Sequence, residues 1–278
     1  MSRSLTQIAN NCGTDKGTVH GDSHGYTFVY ELLLAPYRKL QFNLLEIGLQ
    51  VAPEADHTAS RSATDVPSVK MWREYCSKAH IYGVDISDFS AFQTDWFTFF
   101  QADCGRADQL ELVAQSGAAF DFIIDDGSHA SYHQQLTLCT LFKSLKPEGT
   151  YIIEDLHWSP TYERNLPTVP KTTDVLGNFV SCGKFADTGS IPRSAWEPLE
   201  HQIESIFFFD EDTLIDLRRF FNMRHQTLLP ARERMWGRGH LRHIKRQIQQ
   251  ALRTIRGDMR PPRQSLAKLA VIRKHADG

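Results

Sequence analysis

The segment Phe120-Asp121-Phe122-Ile123-Ile124-Asp125-Asp126-Gly127-Ser128-His129 decides the reading of this chain. A short run of apolar, β-favouring residues ends in paired acids and a turn, so a buried strand delivers polar groups to a sheet edge. The pattern recurs on either side of it. Strands are predicted over 42–48, 80–86, 98–103, 120–126 and 150–155, and helices over 26–40, 68–77, 107–115 and 131–145. Lys146-Pro147-Glu148-Gly149 stops the last of these helices with a turn. Strands alternating with helices make an α/β fold, a parallel sheet covered on both faces. Further on, 204–209 and 213–217, joined by Asp210-Glu211-Asp212, read as an antiparallel hairpin that closes the sheet. The Pro-rich stretch 156–203 reads as a long irregular loop serving as a lid or substrate loop.

The chain has 278 residues, 41% hydrophobic and 23% charged, enough for a sizeable core. That composition excludes a disordered, fibrous or disulfide-stapled protein. No apolar run reaches the ~18–20 residues of a membrane span, and Met1-Ser2-Arg3-Ser4-Leu5-Thr6-Gln7 lacks the apolar stretch of a secretory signal. The five cysteines are an odd number, scattered and without a Cys-x-x-Cys pair, and read as reduced thiols. A cytoplasmic protein is expected. The formal charge of −2 hides an asymmetry: 224–278 carries fourteen Lys/Arg against three acids, +11, and the remainder carries −13. Two parts are therefore expected, a domain over 1–222 and a basic, partly helical extension over 223–278.

In an open α/β sheet, ligands settle outside the carboxyl ends of the strands. Glu46 and Gly48 close the first predicted strand, and Asp85, placed to accept from ribose hydroxyls, closes the second. There is no Gly-x-Gly-x-x-Gly after the first strand, which disfavours a pyrophosphate and favours a nucleoside such as S-adenosylmethionine. Asp126, Glu154 and Asp155 end the fourth and fifth strands. Three carboxylates at neighbouring strand ends repel unless a cation sits among them, and oxygen ligands suit Mg²⁺, Mn²⁺ or Ca²⁺. Single acids of this kind also cap helices, and Asp-Gly-Ser is common turn chemistry. His129, three residues beyond Asp126, suits a general base near neutral pH; His133, one turn on, is second choice.

Four blocks carry a family resemblance: Gly13-Thr14-Asp15-Lys16-Gly17 with His24-Gly25-Tyr26-Thr27 and Tyr30; Leu44-Leu45-Glu46-Ile47-Gly48; Met71-Trp72-Arg73-Glu74-Tyr75 with 81–86; and 124–129 with 151–156. Over roughly 8–217 the chain resembles the metal-dependent S-adenosylmethionine sugar O-methyltransferases of macrolide and aminocoumarin biosynthesis. The resemblance implies a Rossmann-like class I methyltransferase with a mostly parallel seven-stranded sheet and a terminal antiparallel hairpin. It also implies Asp126, Glu154 and Asp155 as Mg²⁺ ligands and His129 as the base. Glu46, Gly48 and Asp85 would hold the cofactor, with Asp103 near the adenine; Lys16, Tyr26 and Tyr30 would help close the cofactor or substrate pocket. In place of the family's glycine-rich turn after the first strand there is an insert from Pro53 to Pro67. No two-histidine, one-carboxylate iron set is legible. The expected activity is methyl transfer to a sugar hydroxyl of a glycoside or glycan. The alternatives are a non-sugar diol or polyketide hydroxyl, or a non-catalytic protein that kept the fold.

Leu241, Ile244, Ile248, Leu252 and Ile255 make one helical stripe among basic residues. It reads either as a helix packing on the domain or a second subunit, a homo-oligomer being expected, or as a peripheral contact with an anionic membrane at its inner face. Nucleic acid is not expected, because the body is acidic and Trp236 is the tail's one aromatic residue.

Overall fold

The computed structural model describes residues 3–49, 64–226 and 267–277. Its sheet has seven strands: β1 (Asn43–Ile47), β2 (His80–Asp85), β3 (Phe97–Gln101), β4 (Phe120–Asp125), β5 (Leu145–Ile153), β6 (Ile203–Asp210) and β7 (Ala267–Lys274), in the order β3-β2-β1-β4-β5-β7-β6. The first five strands pair in parallel, and β7 runs antiparallel to both β5 and β6. This is the expected Rossmann-like methyltransferase architecture.

Alternation along the strands sorts two cores, since successive side chains point to opposite faces. Leu44, Phe122, Ile124, Leu269 and Val271 face one core with α1 (Leu5–Cys12), α2 (Thr27–Leu34) and α3 (Pro67–Tyr75). Leu45, Ile123, Ala270 and Ile272 face the other, with α4 (Ala107–Ala114), α5 (Ser131–Leu141), α6 (Thr172–Cys182) and α7 (Arg193–Gln202). Strand order reverses between β1 and β4, and their carboxyl ends are tied where the Asp126 amide donates to the Ile47 carbonyl at 2.9 Å. A crevice opens at that switch point.

Four expectations change. Residues 213–217 are not a strand but part of α8 (Glu211–Gln226). Asp210 accepts from both the amide and the hydroxyl of Thr213 (2.8 and 2.6 Å), so the supposed polar turn is a helix cap. The strand antiparallel to β6 is β7, from the basic tail, and the sheet therefore extends past the expected boundary at 222/223. The stretch 156–203 is not irregular throughout, since it contains α6 and α7. Lys146-Pro147-Glu148-Gly149 lies within β5, where the pairing shifts register and Glu148 takes a φ of 60°. The stripe from Leu241 to Ile255 lies outside the described residues. Among the described residues no helix is long and apolar enough to cross a membrane.

Candidate functional site

A cleft of about 710 Å³ lies across the carboxyl ends of the strands, within the range of small-molecule sites. At one end it is lined by Gly48, Leu49, Asp85, Ile86, Asp103 and Cys104. Asp85 accepts from the backbone amides of Leu49 (2.7 Å) and Ser87 (2.8 Å), which fixes its carboxylate at the cleft wall. Asp103 accepts from the Gly105 amide at 2.7 Å. Gly48 has a φ of 84°, and a Cβ there would lie 2.1 Å from the Asp126 carbonyl oxygen. Only glycine lets β1 turn beneath the β4 loop at this point.

At the other end stand Asp126, His129 and Asp155, whose ligand atoms all lie within 4.8 Å of one another. His129 and Asp155 both adopt positive φ, 61° and 52°. Such backbone strain is held in place by surrounding structure and gathers at functional sites. His24, His129 and His157 lie 3.6, 3.8 and 3.8 Å from the Asp155 carboxylate, and the Tyr26 hydroxyl donates to it at 2.5 Å. Burial opposes the charge on Asp155, but His129, His24 and Tyr26 outweigh it and hold its pKa below the ordinary value. Of the three imidazoles only His129 joins the group with Asp126, so among the described residues this group offers one nitrogen and two carboxylates.

Glu154 sits behind this group, buried, accepting from the Lys16 ammonium (2.9 Å) and the Tyr30 hydroxyl. Lys16 also pairs with Asp126 and lies 3.5 Å from Glu46. Burial disfavours the Lys16 cation, yet Asp126, Glu154 and Glu46 outweigh that and keep its pKa well above the usual value. Asp126 nonetheless stays above its ordinary value, because burial outweighs Lys16 and His129. One ammonium is shared among Asp126, Glu154 and Glu46, with Asp155 beside them, an imbalance of charge that a divalent ion relieves. With the carboxylates of Asp126 and Asp155 close together and His129 beside them, the residues present fit such an ion on its oxygen side, leaving the imidazole free for another role.

The structure separates some expected site residues. Asp85, Asp103, Gly48, Lys16, Asp126, His129 and Asp155 line one cleft. Glu46 does not: it accepts from the Ser68 hydroxyl (2.7 Å) and the Trp72 indole (3.0 Å), and burial pushes its pKa up to about 7. Lys16, Tyr26 and Tyr30 direct their polar atoms to the acids rather than to the Asp85 end. Asp125 is turned away from the cleft, where Thr137 and Tyr151 donate to it. His133 contacts the Ser128 hydroxyl at 2.6 Å beside Cys104. Two further rim residues carried no signal in the sequence. Trp158 is 38% exposed and meets His129 edge-on with ring centroids 5.4 Å apart, and the Tyr162 hydroxyl donates to the Ser128 carbonyl at 3.0 Å.

No protein-family model matches the chain. It is 35% identical over 217 residues to 8-demethyl-8-alpha-L-rhamnosyl tetracenomycin-C 2'-O-methyltransferase of Streptomyces olivaceus, covering 77% of this chain and 54% of that protein. It is 32% identical over 152 residues to mycinamicin VI 2''-O-methyltransferase of Micromonospora griseorubida, covering 55% and 36%. The chain thus spans about half or less of the length of these relatives. Among solved structures, the MycE methyltransferase of the mycinamycin pathway, in complex with Mg, SAH and mycinamycin VI, superposes with a TM-score of 0.56 at 22% identity, covering 75% of this chain and 52% of that one. The family resemblance therefore stands: over the matched residues this chain is a sequence relative of the natural-product sugar O-methyltransferases and has a Rossmann-like methyltransferase fold.

Proposed function

We propose that the chain is a divalent-ion-dependent O-methyltransferase that uses S-adenosylmethionine to methylate a sugar hydroxyl of a glycoside. The observation that carries the reading is one cleft with Asp85 and Asp103 at one end and, at the other, the paired carboxylates of Asp126 and Asp155 with His129 beside them. When bound, S-adenosylmethionine supplies an electrophilic methyl group, and Mg²⁺ supplies the positive charge that eases ionisation of a hydroxyl.

The chain's own residues do the rest. Asp85 accepts from the ribose hydroxyls while its two backbone amides keep it aimed. Asp126 and Asp155 would hold the ion; Glu154, expected as a third ligand, lies outside their group and is engaged by Lys16 and Tyr30, and Lys16 and Tyr26 hold the other two acids. His129 takes the hydroxyl proton. Its side chain lines the cleft, with Nε2 3.8 Å from the Asp155 carboxylate. Trp158 gives the sugar's apolar face a flat surface beside that base. Orientation in a narrow cleft brings hydroxyl and methyl together.

The test is methyl transfer from labelled S-adenosylmethionine to a panel of rhamnosides, other glycosides and sugar-free polyketides. Turnover is expected on glycosides, to vanish in excess EDTA and to return with Mg²⁺. Full turnover in EDTA would overturn the metal assignment, and activity confined to sugar-free acceptors would overturn the substrate class.

A further inference from the structure

Lys16 lines the cleft and, among the described residues, pairs with three carboxylates at once. Its side chain is 1% exposed, and its ammonium meets carboxylates from three neighbouring strands: Asp126 after β4, Glu154 after β5 at 2.9 Å, and Glu46 of β1 at 3.5 Å. The ammonium donates to Asp126 and Glu154, while Glu46 stands at ion-pair distance without a hydrogen bond from it. The hydroxyls beside it come from the same part of the chain, Tyr26 on Asp155 and Tyr30 on Glu154. Residues 16–30 therefore bring one full positive charge and two neutral donors to acids that would otherwise repel one another.

We propose that Lys16 is a positioning residue, a built-in cation that draws Asp126 and Glu154 to a common point and moderates the cluster's pull on a divalent ion. The inference rests on the metal reading given under Proposed function. Without the ammonium, one more negative charge stands uncompensated beside the ion's place, and attraction at such short range strengthens. The two carboxylates also lose their shared anchor. Tighter metal binding and poorer geometry follow together, which a merely structural lysine would not produce.

The experiment titrates Mn²⁺ into the full-length protein, with Lys16→Met and Lys16→Arg variants, by calorimetry and electron paramagnetic resonance. Lys16→Met is expected to bind Mn²⁺ about tenfold or more tightly than wild type, and Lys16→Arg, which keeps the charge, to stay near wild type. Metal-free Lys16→Met is expected to melt below wild type and to gain more from Mn²⁺, since stabilisation by a ligand grows with the logarithm of its affinity. If metal-free Lys16→Met does not fold, Mn²⁺ is expected to restore it; a variant that stays unfolded in saturating Mn²⁺ overturns the inference. Wild type binding Mn²⁺ with Lys16→Met no tighter overturns the Lys16 role alone. Lys16→Arg binding as tightly as Lys16→Met overturns it too, because shape rather than charge would then decide. Failure of all three proteins to bind Mn²⁺ overturns it together with the metal reading.

Discussion

At one end of the cleft, Asp85 and Asp103 are each fixed by a backbone amide two residues further along the chain, with Leu49 adding a second amide to Asp85. At the other end, Asp126, Glu154 and Asp155 are fixed by Lys16, Tyr26 and Tyr30, side chains 110 to 138 residues away in sequence. The first end is largely local turn chemistry and forms when its strands form. The second exists only once the N-terminal segment has docked over the sheet edge. Carboxylates that only need aiming are served by amides, whereas carboxylates that crowd one another need charge and hydroxyl donors from outside.

The largest expected effect breaks the crowded end. Asp126→Ala should cost at least about a thousandfold in turnover, because it removes both a candidate ligand and one partner of Lys16; near-normal turnover with added Mg²⁺ would dissolve the distinction between the two ends. His129→Ala should keep Mn²⁺ binding within a few-fold of wild type, while turnover falls by roughly a hundredfold to ten-thousandfold. An unchanged rate would remove the base from that end.

Gly48 is where the two ends meet, since its missing side chain makes room for the Asp126 carbonyl. Gly48→Ala should destabilise the protein by about 3 kcal/mol in chemical denaturation, combining an unfavourable φ with overpacking. A cost below about 1 kcal/mol would show that the turn has room to spare. Asp85→Ala tests the amide-held end by itself: affinity for S-adenosylmethionine should fall by roughly tenfold to a hundredfold with Mn²⁺ binding untouched. Loss of both would mean that the ends are not separable.

The smallest effect concerns the rim. Glu163 accepts from the Ser131 amide at 2.8 Å and from Lys171 at 2.6 Å, close to Tyr162. Burial works against its charge, but those donors outweigh it and lower its pKa. Its contribution to stability is therefore present above the ordinary glutamate pKa and is lost as pH falls through the lowered one. Melting curves of wild type and Glu163→Gln should converge in that acidic window and differ slightly at neutral pH. A gap that widens on acidification would contradict the sign.

Much of the molecule was legible because it is written locally. The five parallel strands and the helices between them follow from apolar runs, turn residues and period, and their observed bounds lie mostly within two residues of expectation. The start of β5 differs because Pro147 and Gly149, ordinary turn signals, are absorbed by a register shift against β4. Helix α1 carried a signal that could have found it: Ser4 and Gln7 form a capping box and Gly13 closes its far end. Residues 213–217 have strand-like composition, but the cap at Asp210 and the acids at Glu211 and Asp212 favour a helix start.

Composition, strand pattern and the acids after β4 and β5 were set by the order of residues alone, since each depends on neighbours a few positions away. Tertiary structure decided the rest. It placed Ala267–Lys274 between β5 and β6, because an apolar strand from a basic tail finds its partners only in the assembled sheet. It also turned Glu46 and Tyr26 away from the Asp85 end of the cleft and set Lys16 among the acids. Side-chain pairing across more than a hundred residues is fixed by packing in space, and no local pattern encodes it.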